Sequence, residues 1–268
     1  MPSPLRKYLL LPAIVRLSSG VPKDRNTAWE GYWGRIVSTG SDGDVLWDAG
    51  SDHEFGRYLP ALRRTLNPAL PVIDVGCGHG SFTRLLAARF PQAVGVDVAA
   101  SATSRARAES TALTNVDFRT LDCTAGGAGD LLAAEFGDSN VFVRGVFHVL
   151  NPDSRAALAA NLLPLVGTQG RVFLVETNFR GNSLDYISRL GAAPGQIPKP
   201  LELAIRGLPK PGRFGSEERQ AAFDDDAWTV LEDGAVTIDA VAMQKKGQPE
   251  QIPGYYAALA PARRSALT

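Results

Sequence analysis

A chain of 268 residues can bury a full core, either as one large domain or as a domain with an added cap. Its 28 Lys and Arg balance 28 Asp and Glu, so the formal net charge is zero. The basic excess with which proteins grip duplex DNA or RNA through phosphates is therefore missing, and a nucleic-acid substrate is disfavoured. The two cysteines, Cys77 and Cys123, form no C-x-x-C pair, and the three histidines, His53, His79 and His148, are scattered. No disulfide framework and no metal site is expected.

The apolar run over residues 8–15 is short, contains Pro12 and is closed by Arg16. It lacks the length of a membrane span and any small-residue cleavage signal, and reads as a buried or capping helix of a cytoplasmic protein. Residues 1–56 as a whole are expected to form an N-terminal helical cap, in which Trp29 and Trp33 lie one helical turn apart on a shared face. Over residues 55–66, Phe55, Leu59, Leu62 and Leu66 make a helical stripe that "NPALP" ends.

An alternation follows. "PVIDVG", "AVGVDV", "VDFRTLD", "NVFVRGVF" and "RVFLVETN" read as five strands, and "SFTRLLAARF", "SATSRARAES", "GDLLAAEF" and "PDSRAALAANLLPLV" as the helices between them. Such alternation implies right-handed crossovers and a parallel sheet. Residues 179–215, rich in Gly and Pro, are expected to be an irregular lid with one helical piece at 201–208. Residues 228–243 and 254–262 then close the sheet as an antiparallel, hairpin-like edge. The expected fold is α/β and Rossmann-like: a seven-stranded, mostly parallel sheet with helices on both faces, formed by residues 57–268 beneath the cap.

The strongest motif is "VIDVGCGHGSF", in which a buried strand runs into Gly76, Gly78 and Gly80 and a helix starts at once. Alternate glycines let the backbone turn sharply and approach a ligand, and the helix start beyond offers free amides to the same space. A nicotinamide or flavin fingerprint needs glycine at its sixth position, which here is Ser81 or Thr83. A phosphate loop needs Gly-Lys-Ser/Thr, and no lysine is present. Asp74, just before the glycines, would repel a pyrophosphate and suits a ligand with an ammonium group.

Asp74-Val75-Gly76-Cys77-Gly78-His79-Gly80 resembles the first motif of the class I S-adenosylmethionine-dependent methyltransferases. The resemblance extends over residues 70–178, with an acid at each of the next two strand ends. It implies that Asp97, beside Val98, accepts hydrogen bonds from the cofactor's ribose hydroxyls. It further implies that Asp122 faces the adenine amino group, that Cys123 offers its amide to the ring, and that the exit of the fourth strand runs along the methionine moiety. Residues 29–62, "WEGYW…LWDAGSDHEFGRYLPAL", are similar to the cap of the thiopurine methyltransferase-like group, whose W-x-x-x-W helix lies over the cofactor. The glycine loop departs from that group, so this second likeness implies only a cap.

On that basis the chain is expected to move a methyl group from S-adenosylmethionine to O, N or S of a small, partly aromatic or apolar molecule, with no nucleic-acid or membrane partner. A relative that binds the cofactor for other chemistry, or a non-catalytic binding module, are the alternatives. His148, after the fourth strand, is the candidate general base; otherwise it caps a helix or is hydrogen-bonded in the wall of the site. Arg144 either pairs with the cofactor's carboxylate or an anionic substrate, or makes an ordinary salt bridge. Trp29 and Trp33 either cover the cofactor or anchor the cap. His79 is expected to set loop conformation, His53 to be an exposed loop residue, and the two cysteines to contribute backbone alone. Asp224–Asp226 read as a solvated turn or helix end. Leu201, Leu203, Ile205 and Leu208 would line an apolar pocket. Arg144-Gly145-Val146-Phe147 does not match the Asn/Asp-Pro-Pro-aromatic motif of nucleic-acid amino-methyltransferases, and Asn151-Pro152 lies too far on.

Overall fold

The apolar runs at 72–75, 93–97, 140–143 and 172–177 become strands buried on both faces, the condition that the middle of a parallel sheet imposes. The run at 116–120 is an edge strand with only Phe118 buried. The computed structural model describes residues 6–262. In chain order the elements are α1 (Leu11–Ser18), α2 (Arg25–Trp33), α3 (Ser51–Thr65), β1 (Val72–Val75), α4 (Ser81–Ala87), β2 (Ala93–Asp97) and α5 (Ala100–Glu109). They continue as β3 (Val116–Thr120), α6 (Ala128–Phe136), β4 (Asn140–Arg144), α7 (Pro152–Val166) and β5 (Val172–Thr177). The last are α8 (Ser183–Arg189), α9 (Lys199–Gly207), α10 (Ser216–Ala222), β6 (Trp228–Lys245) and β7 (Gln248–Pro261).

The strands form one sheet in the order β3-β2-β1-β4-β5-β7-β6, with β1 to β5 parallel and β7 and β6 antiparallel. Alternate residues along each strand supply two cores. Val72, Phe142 and Phe173 pack with Phe55 and Leu62 of α3 and Leu86 of α4. Ile73, Val141 and Leu174 pack with Leu132 of α6 and Leu158 and Leu162 of α7. Phe82, Phe142, Phe173 and Tyr256 stack in sequence, with ring centroids 5.8, 6.4 and 5.7 Å apart. The order of the strands reverses between β1 and β4, which opens a crevice beyond their carboxyl ends, where sheets of this kind bind ligands.

Three expectations are revised. Residues 179–215 are not an irregular lid, because α8 and α9 occupy much of them. The glycines and prolines there punctuate two short helices: Gly191 and Gly195 turn the chain at φ 89° and 83°, and a proline opens the first turn of α9. Helix α9 packs on α1 and α2, so this segment and the first helices form one roof. The last strand starts at Gln248, not at residue 254, after a turn at Lys246–Gly247. Pro249 and Pro253 obscured it; both precede Gly254, where pairing with β5 begins, and so lie where the strand has a single neighbour. Helix α3 runs from Ser51 through residue 56, where the cap was expected to end. Among the described residues no helix is long and apolar enough to cross a membrane.

Candidate active site

The glycine loop owes its path to backbone freedom. Gly76, Gly78 and Gly80 have φ of 77°, 55° and 81°, a region that disfavours any side chain. Space closes in as well: a Cβ on Gly76 would stand 2.3 Å from Val146, and one on Gly78 2.7 Å from Trp33. Both glycines border a cavity of about 880 Å³. Gly80 does not; it opens α4, and Phe118 fills the space behind it.

Asp97, at the end of β2, fastens this loop. Its Oδ2 accepts from the Gly78 amide at 2.9 Å and its Oδ1 from the Ala99 amide at 2.9 Å. Asp74 accepts from the Thr83 hydroxyl at 2.6 Å. Neither carboxylate has a cationic partner among the described residues. Burial pushes Asp74 up to about 7, against the Thr83 bond and with the Asp97 charge adding to the rise. Burial pushes Asp97 up to about 6, against the bonds from Ala99 and Gly78. Each acid therefore holds its proton more tightly folded than unfolded, so its contribution to stability is complete below pH 4 and lost as pH rises through about 6 to 7. Without added ligand, the thermal midpoint is expected to fall by about 5–10 °C between pH 5 and 8. Asp74→Asn should flatten that slope; an unchanged slope would exclude Asp74 as its source.

The roof over the β3-β2 end is α2, whose N-cap Asp24 accepts from the Thr27 amide. Arg25 Nη2 donates to both oxygens of Asp122 at 2.9 and 2.8 Å, and Asn26 donates to Oδ2 at 2.9 Å. Asp122, expected to face an adenine amino group, is thus already engaged by the roof helix and by Thr124. Further along α2, Glu30 accepts from Ser101. Trp29 and Trp33 border the cavity and also belong to an aromatic cluster with Tyr32 and Trp47, so lining and anchoring are combined. His79 is buried in the loop and bonds Asp48 through Nε2 at 3.0 Å. Burial raises the Asp48 carboxyl, but the bond and charge of His79, the Gly40 amide and the Arg144 charge together outweigh it and hold the group below its usual range. Val98, Cys77 and Cys123 border the cavity as well. Burial pushes the Cys77 thiol far up and the Cys123 thiol to about 12, so neither is a thiolate nucleophile.

On the β4-β5 side, Arg144 is committed to an ion pair. Its Nε and Nη2 donate to Glu54 Oε1 and Oε2 at 2.9 and 2.7 Å, both side chains being buried. Of the roles considered for Arg144, the salt bridge is the one formed, although its guanidinium still borders the cavity above Phe82. Beyond it, His148 Nδ1 lies 2.8 Å from Oε2 of Glu176. Glu176 is fully buried and also accepts from the amides of Val146, Phe147 and His148 at 2.9, 2.8 and 3.1 Å. Helix α7 is capped by Asn151, which accepts from the Ser154 amide, so His148 is not a helix cap. With Nδ1–H directed at Glu176, the lone pair of Nε2 is left without a protein partner among the described residues.

Phe179, Tyr186, Leu201, Ile205 and Leu208 continue the wall. Leu203 does not, and packs instead against the tryptophan cluster under α2. His53 is 78% exposed and stands in the first turn of α3, not in a loop. Asp224 and Asp226 form a turn before β6. Among the described residues no three His, Cys, Asp or Glu side chains converge on a point that would hold a metal ion. Glu54, Glu176, Asp48, Trp47 and Arg25 were not singled out from the sequence. Only Glu176 carries a local signal, as a carboxylate at the end of an otherwise apolar strand.

Residues 72–170 match the family model described as a methyltransferase domain. A solved S-adenosylmethionine-dependent methyltransferase from Anabaena variabilis ATCC 29413 is 30% identical, with 91% of this chain and 98% of that one covered and a TM-score of 0.77. An N-methyltransferase from Bradyrhizobium japonicum WM9, in complex with S-adenosyl-L-homocysteine, shares the fold at 14% identity, with 88% and 100% covered and a TM-score of 0.54. Among curated proteins, trans-aconitate 2-methyltransferase of Deinococcus radiodurans is 36% identical over 95 residues, or 33% of this chain. That match spans 37% of the relative's length.

Proposed function

Because the chain belongs to the S-adenosylmethionine-dependent methyltransferases, we propose that it methylates a hydroxyl oxygen of a small, largely apolar acceptor, with His148 as general base. The crevice suits the cofactor. Two buried carboxylates, Asp74 and Asp97, have no cation of their own among the described residues, and a backbone cradle at Gly76 and Gly78 has no room for a Cβ. Asp97 would hold the ribose hydroxyls, Asp74 would act on the ammonium group, and Val98 and Cys123 would flank the adenine. Asp122 would hold α2 closed over that end through Arg25 and Asn26. When bound, S-adenosylmethionine supplies an electrophilic methyl group on a sulfonium.

One observation carries the choice of oxygen: a histidine at the end of the crevice, oriented by a fully buried glutamate, with Nε2 free to take a proton. A thiol or an uncharged amine needs little more than correct placement to react, whereas a hydroxyl needs an acceptor for its proton as the new bond forms. One methyl is exchanged for one proton at the acceptor oxygen, and the proton ends on Nε2. Glu176 stabilises the imidazolium so formed. The chamber of Phe179, Tyr186, Leu201 and Ile205 keeps water from the reacting atoms.

The test is a matched series of acceptors on one aromatic skeleton bearing hydroxyl, amino or thiol, with products identified by mass spectrometry. Turnover on the hydroxyl is expected to be at least about tenfold faster; methylation confined to nitrogen or sulfur overturns the proposal. Independently, Asp97→Ala is expected to weaken calorimetric binding of S-adenosylmethionine and S-adenosylhomocysteine by at least about 100-fold, or about 2.7 kcal/mol. Binding within about threefold of wild type would remove Asp97 from the cofactor site.

A further inference from the structure

Followed along the strand order, the carboxylates around the cavity gather on one side, where the lining Arg25 is already taken up by Asp122. Every carboxylate that borders it among the described residues stands on the β3-β2-β1 side: Asp122, Asp97, Asp74, and Asp48 beside His79. On the β4-β5 side no carboxylate borders it, and the charged lining there is Arg144, Arg180, Lys210 and Arg213. Two of these cations are neutralised, Arg144 by Glu54 and Arg213 by Glu217 and Glu218. Arg180 and Lys210 are exposed at the rim and have no hydrogen bond or ion pair within the described residues. Phe179, Ile187, Leu201 and Ile205 give the same cavity apolar wall.

This arrangement discriminates among acceptors by charge. A cation in the chamber would meet two unpaired positive groups and no counter-charge. A neutral molecule would gain nothing from them. An anion finds the potential of Arg180 and Lys210 focused by the low-dielectric wall beside them. Its charged end can stay at the rim, half in water, so that little desolvation is incurred while its body is buried.

We infer that the acceptor is an anionic amphiphile: an apolar body lies under α8 and α9 with its reacting end at His148, and its carboxylate is held at the rim by Arg180 and Lys210. The inference rests on the acceptor chamber assigned above, and not on which atom receives the methyl group.

Binding, with no turnover, tests it. The neutral fluorophore N-phenyl-1-naphthylamine is displaced from the protein, with S-adenosylhomocysteine present, by decanoate, decan-1-ol or decylammonium. The wild type is compared with the double variant Arg180→Gln/Lys210→Gln. Decanoate is expected to displace the probe at about tenfold lower concentration than decylammonium, equivalent to about 1.4 kcal/mol from two exposed ion pairs. In the double variant the two are expected to agree within about twofold, with decan-1-ol unchanged. Equal potency of the two ions in the wild type, a preference that survives in the double variant, or failure of the probe to enter would each overturn the inference. Titration of both proteins with S-adenosylhomocysteine keeps the cofactor assignment separate, and absence of O-methylation leaves the displacement result standing.

Discussion

Replacing His148 with alanine is expected to slow methyl transfer by about 10²–10⁴-fold, while S-adenosylhomocysteine binding stays within about threefold of wild type. The expectation follows from how the ring is held. Nδ1 is fixed on Glu176 at 2.8 Å, and Glu176 is itself anchored by three backbone amides at the end of β4. The imidazole cannot swing away, and its second nitrogen is presented to the cavity in one tautomer. Glu176→Gln keeps the size of that anchor but loses the charge that stabilises the imidazolium, and sets an NH2 against two of the four donors that the carboxylate accepts from. It should therefore lose rate with little change in acceptor KM, a pattern that mere misfolding would not produce. If single-turnover rates of His148→Ala fall by less than about fivefold, the base lies elsewhere and His148 is a wall residue.

Glu54→Ala is expected to cost about 3–5 kcal/mol of stability and to lower the thermal midpoint by about 10 °C. The substitution strands the Arg144 guanidinium, which is buried and donates two of its hydrogen bonds to this one carboxylate. It also removes the acceptor of the Asp239 amide, so two buried donors lose their partner at once. Replacing both members together, Glu54→Met with Arg144→Met, should recover much of the loss, since no charge is then left unpaired. Thermal unfolding of the two variants beside the wild type decides it: a fall below about 2 °C for Glu54→Ala would mean that the pair is not buried in solution.

Much of the architecture was legible because it is written locally. A buried strand reads as an apolar run, and "VIDVGCGHGSF" joins such a run to a turn that only glycine permits and then to a helix start. The two later acids, Asp97 and Asp122, stand at strand ends and could be counted off without knowing what they touch. Element boundaries failed where local chemistry was ambiguous. Prolines that end helices elsewhere open α9 here, and prolines that disfavour strands sit in the part of β7 that has one neighbour.

The sequence by itself determined the strands and the glycine loop, because each depends on residues within one turn or one strand of each other, and the resemblance over residues 70–178 implied the class of cofactor. The tertiary structure alone decided the partners: Glu54 for Arg144 across 90 positions, Arg25 for Asp122 across 97, and Glu176 for His148 across 28. A carboxylate at residue 54 carries no mark of the guanidinium it will meet, since the ion pair exists only once α3 and β4 are packed together. The roof over the crevice and the gathering of carboxylates on one side of it arise in the same way. They are properties of side chains brought together from distant segments, and burial, not spacing along the chain, determines what each of them can do.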